Sequence, residues 1–422
     1  MTSARAGAEM VLGYRDDSHP FRVATELAVL VIGPPRSGKT SCVVVPAVAD
    51  ARGPVVSTST KADVLQATID ARRQGGRVWL FDPAGTERCP PGVDQLRWSP
   101  ITGAATWDGA LLMAQAMVEG SRSTQGATNE GFWRQRAQTL LAPLLFAAAR
   151  DGLGIDEVVK WAGGDLKAPS QLLDCDDRTA KARQALLSLA NSDPRERASV
   201  FSFVDGVLSA YHSDAASAAA LNPNFDARGF VTSAGDSVFI TAAAHQQQLV
   251  APLVVGLLHE IRLATFAAHR LGRRPQVLFA LDEVANIAPI HDLPGLVSEA
   301  GGQGLQVLAC VQDLSQVRGR WGAEIAHGFL TLFGIKLILP GVMDQQTLYA
   351  LSTAAGDIQD ETQTATSNRT AHGEARSQSW QMQWRPRYPA GTIACLPAGR
   401  ALAFEGARPS VIELRPWWQR RM

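Results

Sequence analysis

No charge of one sign predominates. Forty Lys and Arg stand against forty Asp and Glu, a formal net charge of zero, so no global basic field advertises nucleic acid and no acidic excess advertises a cationic partner. Any DNA binding must be local. Cysteine pairs are lacking as well. Cys42, Cys89, Cys175, Cys310 and Cys395 form no C-x-x-C and lie in or near apolar runs, which argues against zinc and for buried thiols in a reducing compartment. Residues 1–9 contain no apolar core of signal-peptide length. Apolar stretches such as 27–32 fall far short of the roughly 20 residues that span a bilayer, so a soluble chain is expected. What remains is 422 residues, 46% hydrophobic and 19% charged, far from the disordered regime and long enough for two or three domains at roughly 150 residues each.

Short apolar runs rich in β-branched residues occur at 28–32, 54–57, 77–81, 237–241, 277–281, 305–311 and 334–339. Continuous apolar runs of this length predict parallel strands covered on both faces. Leu249, Leu253, Leu257 and Ile261, widened by Val250, Val254 and Leu258, predict an amphipathic helix after one of them. Strand then helix, repeated, means α/β. Between residues 104 and 227 helical spacing replaces the strand signal, at 107–119, 132–150, 156–162, 179–190 and, after a cap at Ser192 or Asp193 with Pro194 in the first turn, 196–211. An all-helical insertion is expected there, with a kink at Pro143. The expected division is therefore 1–103, 104–227 and 228–422. Residues 357–389, rich in Gln, Ser, Thr and Arg without a sustained period, read as a long exposed loop or a disordered segment.

Gly33-Pro34-Pro35-Arg36-Ser37-Gly38-Lys39-Thr40 matches G-x-x-x-x-G-K-[ST], directly after an apolar run and before a segment able to start a helix. Such a loop turns backbone N–H groups inward to cradle phosphates, its Lys reaches the β and γ oxygens and its Thr hydroxyl ligates magnesium. At background composition the pattern arises by chance about once in a hundred chains of this length. Ser41 completes the expected binding segment. The run 277–281 ends in Asp282-Glu283, where Asp282 would hold the magnesium shell and Glu283 would polarise the attacking water; the pair could also simply cap the next helix. Gln312, at the end of 305–311, is placed to sense the γ-phosphate or is a strand-end turn residue.

Several features are weaker. Lys61 and Asp63 follow a strand tip and could support the site or cap a helix. His245, with Gln246, Gln247 and Gln248, follows another and could report nucleotide state or only begin a helix. Trp380 and Trp384 among Arg376, Arg385 and Arg387 have the composition of single-stranded DNA contacts, with subunit packing as the alternative. Arg270, Arg273 and Arg274 form a solvated turn at the opposite edge, and Trp417 and Trp418 anchor the C-terminus to the core.

In order along the chain, Leu30-Val31-Ile32-Gly33, Arg36-Ser37-Gly38-Lys39, Pro46, Ser59-Thr60-Lys61-Ala62-Asp63, Phe81-Asp82-Pro83, Trp98-Ser99-Pro100, residues 281–287, residues 311–316, Pro397 and Pro409 resemble the coupling-protein family of conjugative type IV secretion, the TraG/TraD-like ATPases. The resemblance implies a RecA-like P-loop fold with a mainly parallel sheet interrupted by an all-α domain. It also implies ATP and Mg2+ as cofactors and a homo-hexamer driving single-stranded DNA with relaxosome proteins, beside secretion-channel ATPases or membrane components. It further attributes relaxosome recognition to the all-α domain. Without the N-terminal transmembrane helices usual in such proteins, the expected location is cytoplasmic, at the inner face of the membrane through partners. The arginine often offered to a neighbouring subunit's ATP is missing from Ala300-Gly301-Gly302-Gln303-Gly304, which leaves Arg318 and Arg320 as the nearest replacements. A nucleotide-switched recognition adaptor and a cytosolic DNA translocase of a related branch remain open alternatives.

Overall fold

The computed structural model describes residues 9–16, 19–121, 130–174, 177–370 and 373–420, with the backbone alone over 362–370 and 373–381. In chain order its strands are β1 (Glu9–Tyr14), β2 (Pro20–Ala24), β3 (Val29–Ile32), β4 (Val55–Ser59), β5 (Val78–Phe81), β6 (Asp94–Gln95), β7 (Ser237–Thr241), β8 (Val277–Leu281), β9 (Leu305–Val311), β10 (Ile335–Ile338), β11 (Asp357–Thr370), β12 (Gly373–Pro386), β13 (Arg400–Glu405) and β14 (Arg408–Glu413). The seven apolar runs of the sequence are β3, β4, β5, β7, β8, β9 and β10, and every residue in them is buried. A strand covered on both faces has no solvated position for polar residues to occupy.

Twelve strands make one sheet in the order β2-β1-β14-β13-β10-β3-β9-β8-β4-β7-β5-β6. From β10 to β6 neighbours run parallel, while β13, β14, β1 and β2 add an antiparallel wing. β9 lies between β3 and β8, pairing Ile32 with Val311 and Leu281 with Ala309. The ends of these three strands therefore emerge side by side at one carboxyl edge, the edge where α/β folds gather ligands.

Between β6 and β7 the described elements are all helical, among them Trp107–Gly120, Glu130–Arg150, Ile155–Ala162, Ala180–Ala190 and Pro194–Leu208. Asp193 caps the last of these, accepting from the Arg195 and Glu196 N–H groups, with Pro194 in the first turn. One core runs from Phe81 and Trp98 beside the sheet through Met113 and Met117 to Leu140 and Val204 in the insertion. Trp98 donates to Glu260 (2.7 Å) on the helix Gln247–Arg270. Among the described residues that helix alone is long and apolar enough to cross a membrane, and most of it is buried.

Two expectations fail. Residues 357–389 are not a loop over most of their length: β11 and β12 pair antiparallel from Asp357 with Pro386 to Thr370 with Gly373. Backbone pairing does not require an apolar face, and β11 carries Thr362, Thr364, Thr366 and Thr370, a residue that suits pleated backbone. Among the described side chains Met382 and Trp384 are exposed, and the sequence of the two strands shows no sustained apolar alternation. Cys89 and Cys395 are exposed while Cys42 and Cys310 are buried, because nearness to an apolar run does not fix which way a loop residue faces. Cys175 and the side chains of Arg376 and Trp380 lie outside the described residues.

Candidate nucleotide site

β3 ends at Ile32, and the Gly33 N–H donates to Val311 on β9 (3.2 Å). A Cβ on Gly33 would stand 2.6 Å from Ser37 Oγ and 2.9 Å from Leu339 Cβ, so the tight start of the loop requires glycine. Arg36 and Gly38 both take positive φ, 65° and 98°, which turns the loop inward before the helical segment Lys39–Val44 begins. Lys39 is buried and folds back, donating to the carbonyls of Gly33 (2.6 Å) and Pro34 (3.1 Å). The lone pairs of its own loop thus hold an ammonium that a phosphate oxygen would accept with stronger, charge-assisted bonds.

The Thr40 hydroxyl donates to Asp282 Oδ2 at 2.6 Å, although 242 residues separate the two in sequence. Asp282 is 6% exposed, and Thr58 from β4 ties its carbonyl (3.0 Å). Burial raises its pKa above the ordinary carboxylate range, against the opposing effects of the Thr40 hydrogen bond and the Lys39 charge. Glu283 sits in the left-handed region at φ 54°, ψ 47°, a conformation that costs a non-glycine residue about 1–2 kcal/mol. It turns the carboxylate toward Gln312, Gln316 and Asn286, whose amides approach its Oε2 at 3.4, 3.4 and 3.3 Å. Gln316 Oε1 also accepts from the Gln312 N–H (2.9 Å). Gln316 and Asn286 fall in the segments 311–316 and 281–287 that carry the family resemblance, but the sequence assigned neither a role; each lies within one helical turn of a residue that had one.

The weaker candidates separate. Asp63 accepts from Ser59 Oγ (3.0 Å) and the Val64 N–H (2.8 Å) beside the loop. His245 is exposed, and Gln247 turns inward to the Ala242 carbonyl (3.2 Å). Arg318 bonds Asp344 Oδ1 and Oδ2 (3.0 and 3.2 Å), while one Arg320 nitrogen meets the carbonyls of Glu119, Gly120, Ser121 and Pro289 at 3.2–3.5 Å. Both arginines are thus engaged within their own chain. Gly301 and Gly304 belong to the opposite edge, where a Cβ would stand 2.0 Å from the Glu26 carbonyl and 2.3 Å from that of Pro275; close packing explains the glycines there.

A cavity of about 340 Å³ opens over Arg36, Lys39 and Thr40 and reaches Asp63, Trp417 and Trp418. Trp417 packs against the core, but Trp418 is 51% exposed, so only one of the two serves as an anchor. A second cavity of about 350 Å³ lies at the far edge of the sheet among Glu26, Arg52, Arg274 and Gln306, away from the strand tips.

A family model described as type IV secretory system conjugative DNA transfer matches residues 12–410. The chain belongs to this family. Among the family's curated relatives, protein VirD4 of Agrobacterium fabrum (strain C58) is 24% identical over 365 residues, 82% of this chain and 51% of VirD4. Protein VirD4 of Rhizobium rhizogenes is 23% identical over the same shares. The chain spans about half the length of the curated relatives it matches. Among solved structures, the bacterial conjugative coupling protein TrwBdeltaN70 in complex with sulphate superposes with TM-score 0.72 at 17% identity, covering 98% of this chain and 90% of that one. TrwB in complex with the non-hydrolysable ATP analogue ADPNP gives 0.70 at 16% over 99% and 91%. The fold is accordingly the RecA-like P-loop fold of the transfer family, with its inserted helical domain.

Proposed function

We propose that the chain is the motor portion of a conjugative coupling protein, hydrolysing ATP to drive single-stranded DNA, carried as a relaxase–DNA complex, into a type IV secretion channel. One observation carries this reading. Thr40 from the phosphate loop and Asp282 from the tip of β8 meet at 2.6 Å, with Glu283 and Gln312 beside them on adjacent tips. The match over residues 12–410 and the ATP-analogue complex of the structurally similar TrwB support a nucleoside triphosphate as ligand.

The residues present fit Mg2+. A hydroxyl and a carboxylate, both hard oxygen donors, converge through a hydrogen bond, and the hydroxyl would offer a cation an oxygen lone pair while keeping its proton. Thr40 and Asp282 would hold the ion, which when bound would neutralise charge on the phosphate oxygens. The ADP and Mg2+ complex of TrwB agrees with this assignment. Lys39 would exchange the Gly33 and Pro34 carbonyls for phosphate oxygens, and the loop N–H groups from Gly33 to Ser41 would cradle the phosphates. Glu283 would orient the attacking water and Gln312 would report the γ-phosphate. Gln316 shares the helix Leu314–Trp321 with Arg318, and Arg318 bonds Asp344 at the start of the helix Gln345–Ala354, a route by which that report would leave the site. A homo-hexamer acting at the inner face of the membrane with relaxosome and channel partners is part of the same proposal, and with Arg318 and Arg320 engaged in cis, the trans arginine is left unassigned.

Steady-state ATP hydrolysis by wild type and Glu283→Gln, with and without single-stranded DNA, tests the reading while light scattering follows assembly. Expected are a several-fold rise with DNA alongside oligomer growth, and a loss of at least about 100-fold in the variant, the range of a missing general base, with nucleotide binding retained. DNA-insensitive hydrolysis by a stable monomer would exclude autonomous translocation and favour a recognition adaptor.

A further inference from the structure

The phosphate loop accounts for the phosphates of a nucleotide and leaves its base without a seat. We propose that Trp418 supplies that seat, stacking on a purine held in the cavity over Arg36, Lys39 and Thr40; the proposal rests on the nucleotide reading above. Phosphates gripped at the loop leave the sugar and base only the adjoining surface, and the cavity that includes the loop is walled on its other side by Trp417 and Trp418. Trp418 is half exposed there, and a large aromatic facing water beside a nucleotide loop is a stacking platform without its partner.

The tail that carries this platform is held to the body of the protein on both sides of it. Trp417 meets Trp418 edge to face at 5.9 Å and 81°, and is itself packed on the core that includes Cys42, Val43 and Val45 under the loop. Past the turn Trp417–Gln419, the Arg420 guanidinium donates to the Val11 carbonyl (3.2 Å) and lies 3.7 Å from Asp50. Asp50 ends the helix Val45–Asp50 that continues from the phosphate loop, so one helix carries the loop at its start and the latch of the tail at its end. Tyr14 takes Arg415 on its ring at 4.3 Å and Arg420 at 5.7 Å. Stacking reads ring area, not hydrogen-bonding edges, so Trp418 would favour purine over pyrimidine triphosphates without choosing strongly between ATP and GTP.

Calorimetric titration of the full chain and of Trp418→Ala, Trp418→Phe and Lys39→Ala with ATP, UTP and inorganic tripolyphosphate tests this. The expected result is at least tenfold weaker ATP binding by Trp418→Ala, about 1.4 kcal/mol, with tripolyphosphate affinity unchanged, most ATP affinity kept by Trp418→Phe, and the preference for ATP over UTP lost with the ring. Equal ATP affinity in Trp418→Ala and wild type would overturn the stacking role, as would a parallel loss of tripolyphosphate, which would mean a distorted loop. If wild type bound neither ATP nor tripolyphosphate, or Lys39→Ala bound both as wild type does, the nucleotide site itself would be wrong.

Discussion

Asp282 sits where water barely reaches, and among the described residues its charge is offset by the Thr40 hydroxyl and, at longer range, the Lys39 ammonium. An ionised carboxylate so placed costs folding free energy that the apo protein recovers only in part. Asp282→Asn removes the charge and keeps an oxygen for Thr40, so the nucleotide-free variant should be as stable as wild type or more stable by about 1 kcal/mol, the scale of a functional residue traded against stability. Magnesium-dependent ATP binding should fall at least tenfold in the same protein. Thermal unfolding with and without Mg-ATP separates the two effects. A nucleotide-free variant clearly less stable than wild type would mean that the carboxylate is structural. The phosphate loop and the Asp-Glu pair were legible because each is contiguous and follows a buried strand. The Trp418 wall was not, because only the folding of the tail against Tyr14 and Asp50 brings it to the loop.

Helices and strands are joined at the far edge of the sheet by one buried cation. Arg72, 3% exposed near the end of the helix Asp63–Gly75, donates to Ser237 Oγ (2.7 Å) and to the carbonyls of Gly53 (2.7 Å), Gly235 (2.9 Å) and Ala51. It thereby fixes the turns that lead into β4 and β7. Burial lowers its pKa to about 10, against the Asp236 charge, so it remains charged at neutral pH. Arg72→Ala strands these acceptors and should lower the unfolding free energy by about 3–5 kcal/mol. Arg72→Lys should recover little, since an ammonium cannot span the same fork. Urea midpoints of the three proteins check both points, and a loss below about 1 kcal/mol in Arg72→Ala would show that the turns hold themselves. Nothing in the sequence marked Arg72, which reads as one more arginine beside Arg73. The parallel strands, by contrast, were legible wherever both faces are buried, as at 277–281 and 305–311. The wing strands β1, β2 and β14 carry exposed or partly exposed positions that interrupt their apolar runs, and the sequence of β11 and β12 has no sustained apolar alternation to signal them.

At the scale of the whole molecule, the helical insertion and the sheet meet around a cavity of about 120 Å³, lined by Glu119 from the insertion, His259 and Arg262 from the helix Gln247–Arg270, and His291 and Asp292 after β8. Among the described residues His259 Nε2 has no hydrogen-bond partner, and burial, helped by the Arg262 charge, lowers its pKa to about 4 from 6.5. The folded form therefore resists a proton that the unfolded chain accepts. Stability is intact above pH 6.5 and is lost progressively as pH falls toward 4, by on the order of 2–3 kcal/mol from this residue. His259→Gln should flatten that part of the profile. Urea unfolding at pH 7 and pH 4.5 would decide it, and an equal acid loss in the variant would place the sensitivity elsewhere.

The hairpin of β11 and β12 stands apart from this shared core, which makes it separable. Its base is closed by the Arg387 N–H donating to the Gly356 carbonyl (2.9 Å), and Ser352 Oγ holds the Tyr388 carbonyl just behind (2.8 Å). Joining Gly356 to Arg387 would therefore bridge a gap that the backbone already spans. The hairpin presents Met382 and Trp384 to solvent, with Arg385 paired to Asp360 (2.6 Å), and its strands pair only with each other. Excision of 357–386 should shift Tm by no more than about 2 °C, on the order of 1–2 kcal/mol for a chain of this length, and leave DNA-independent ATP turnover within twofold. An exposed aromatic beside an arginine, on an arm none of whose described side chains belongs to the core, is suited to single-stranded DNA or to a neighbouring subunit. DNA stimulation or assembly should accordingly fall several-fold, and light scattering alongside the ATPase assay separates the two. A Tm loss of several degrees would instead make the arm part of the folding unit, and unchanged stimulation with unchanged assembly would leave it no place in the proposed motor.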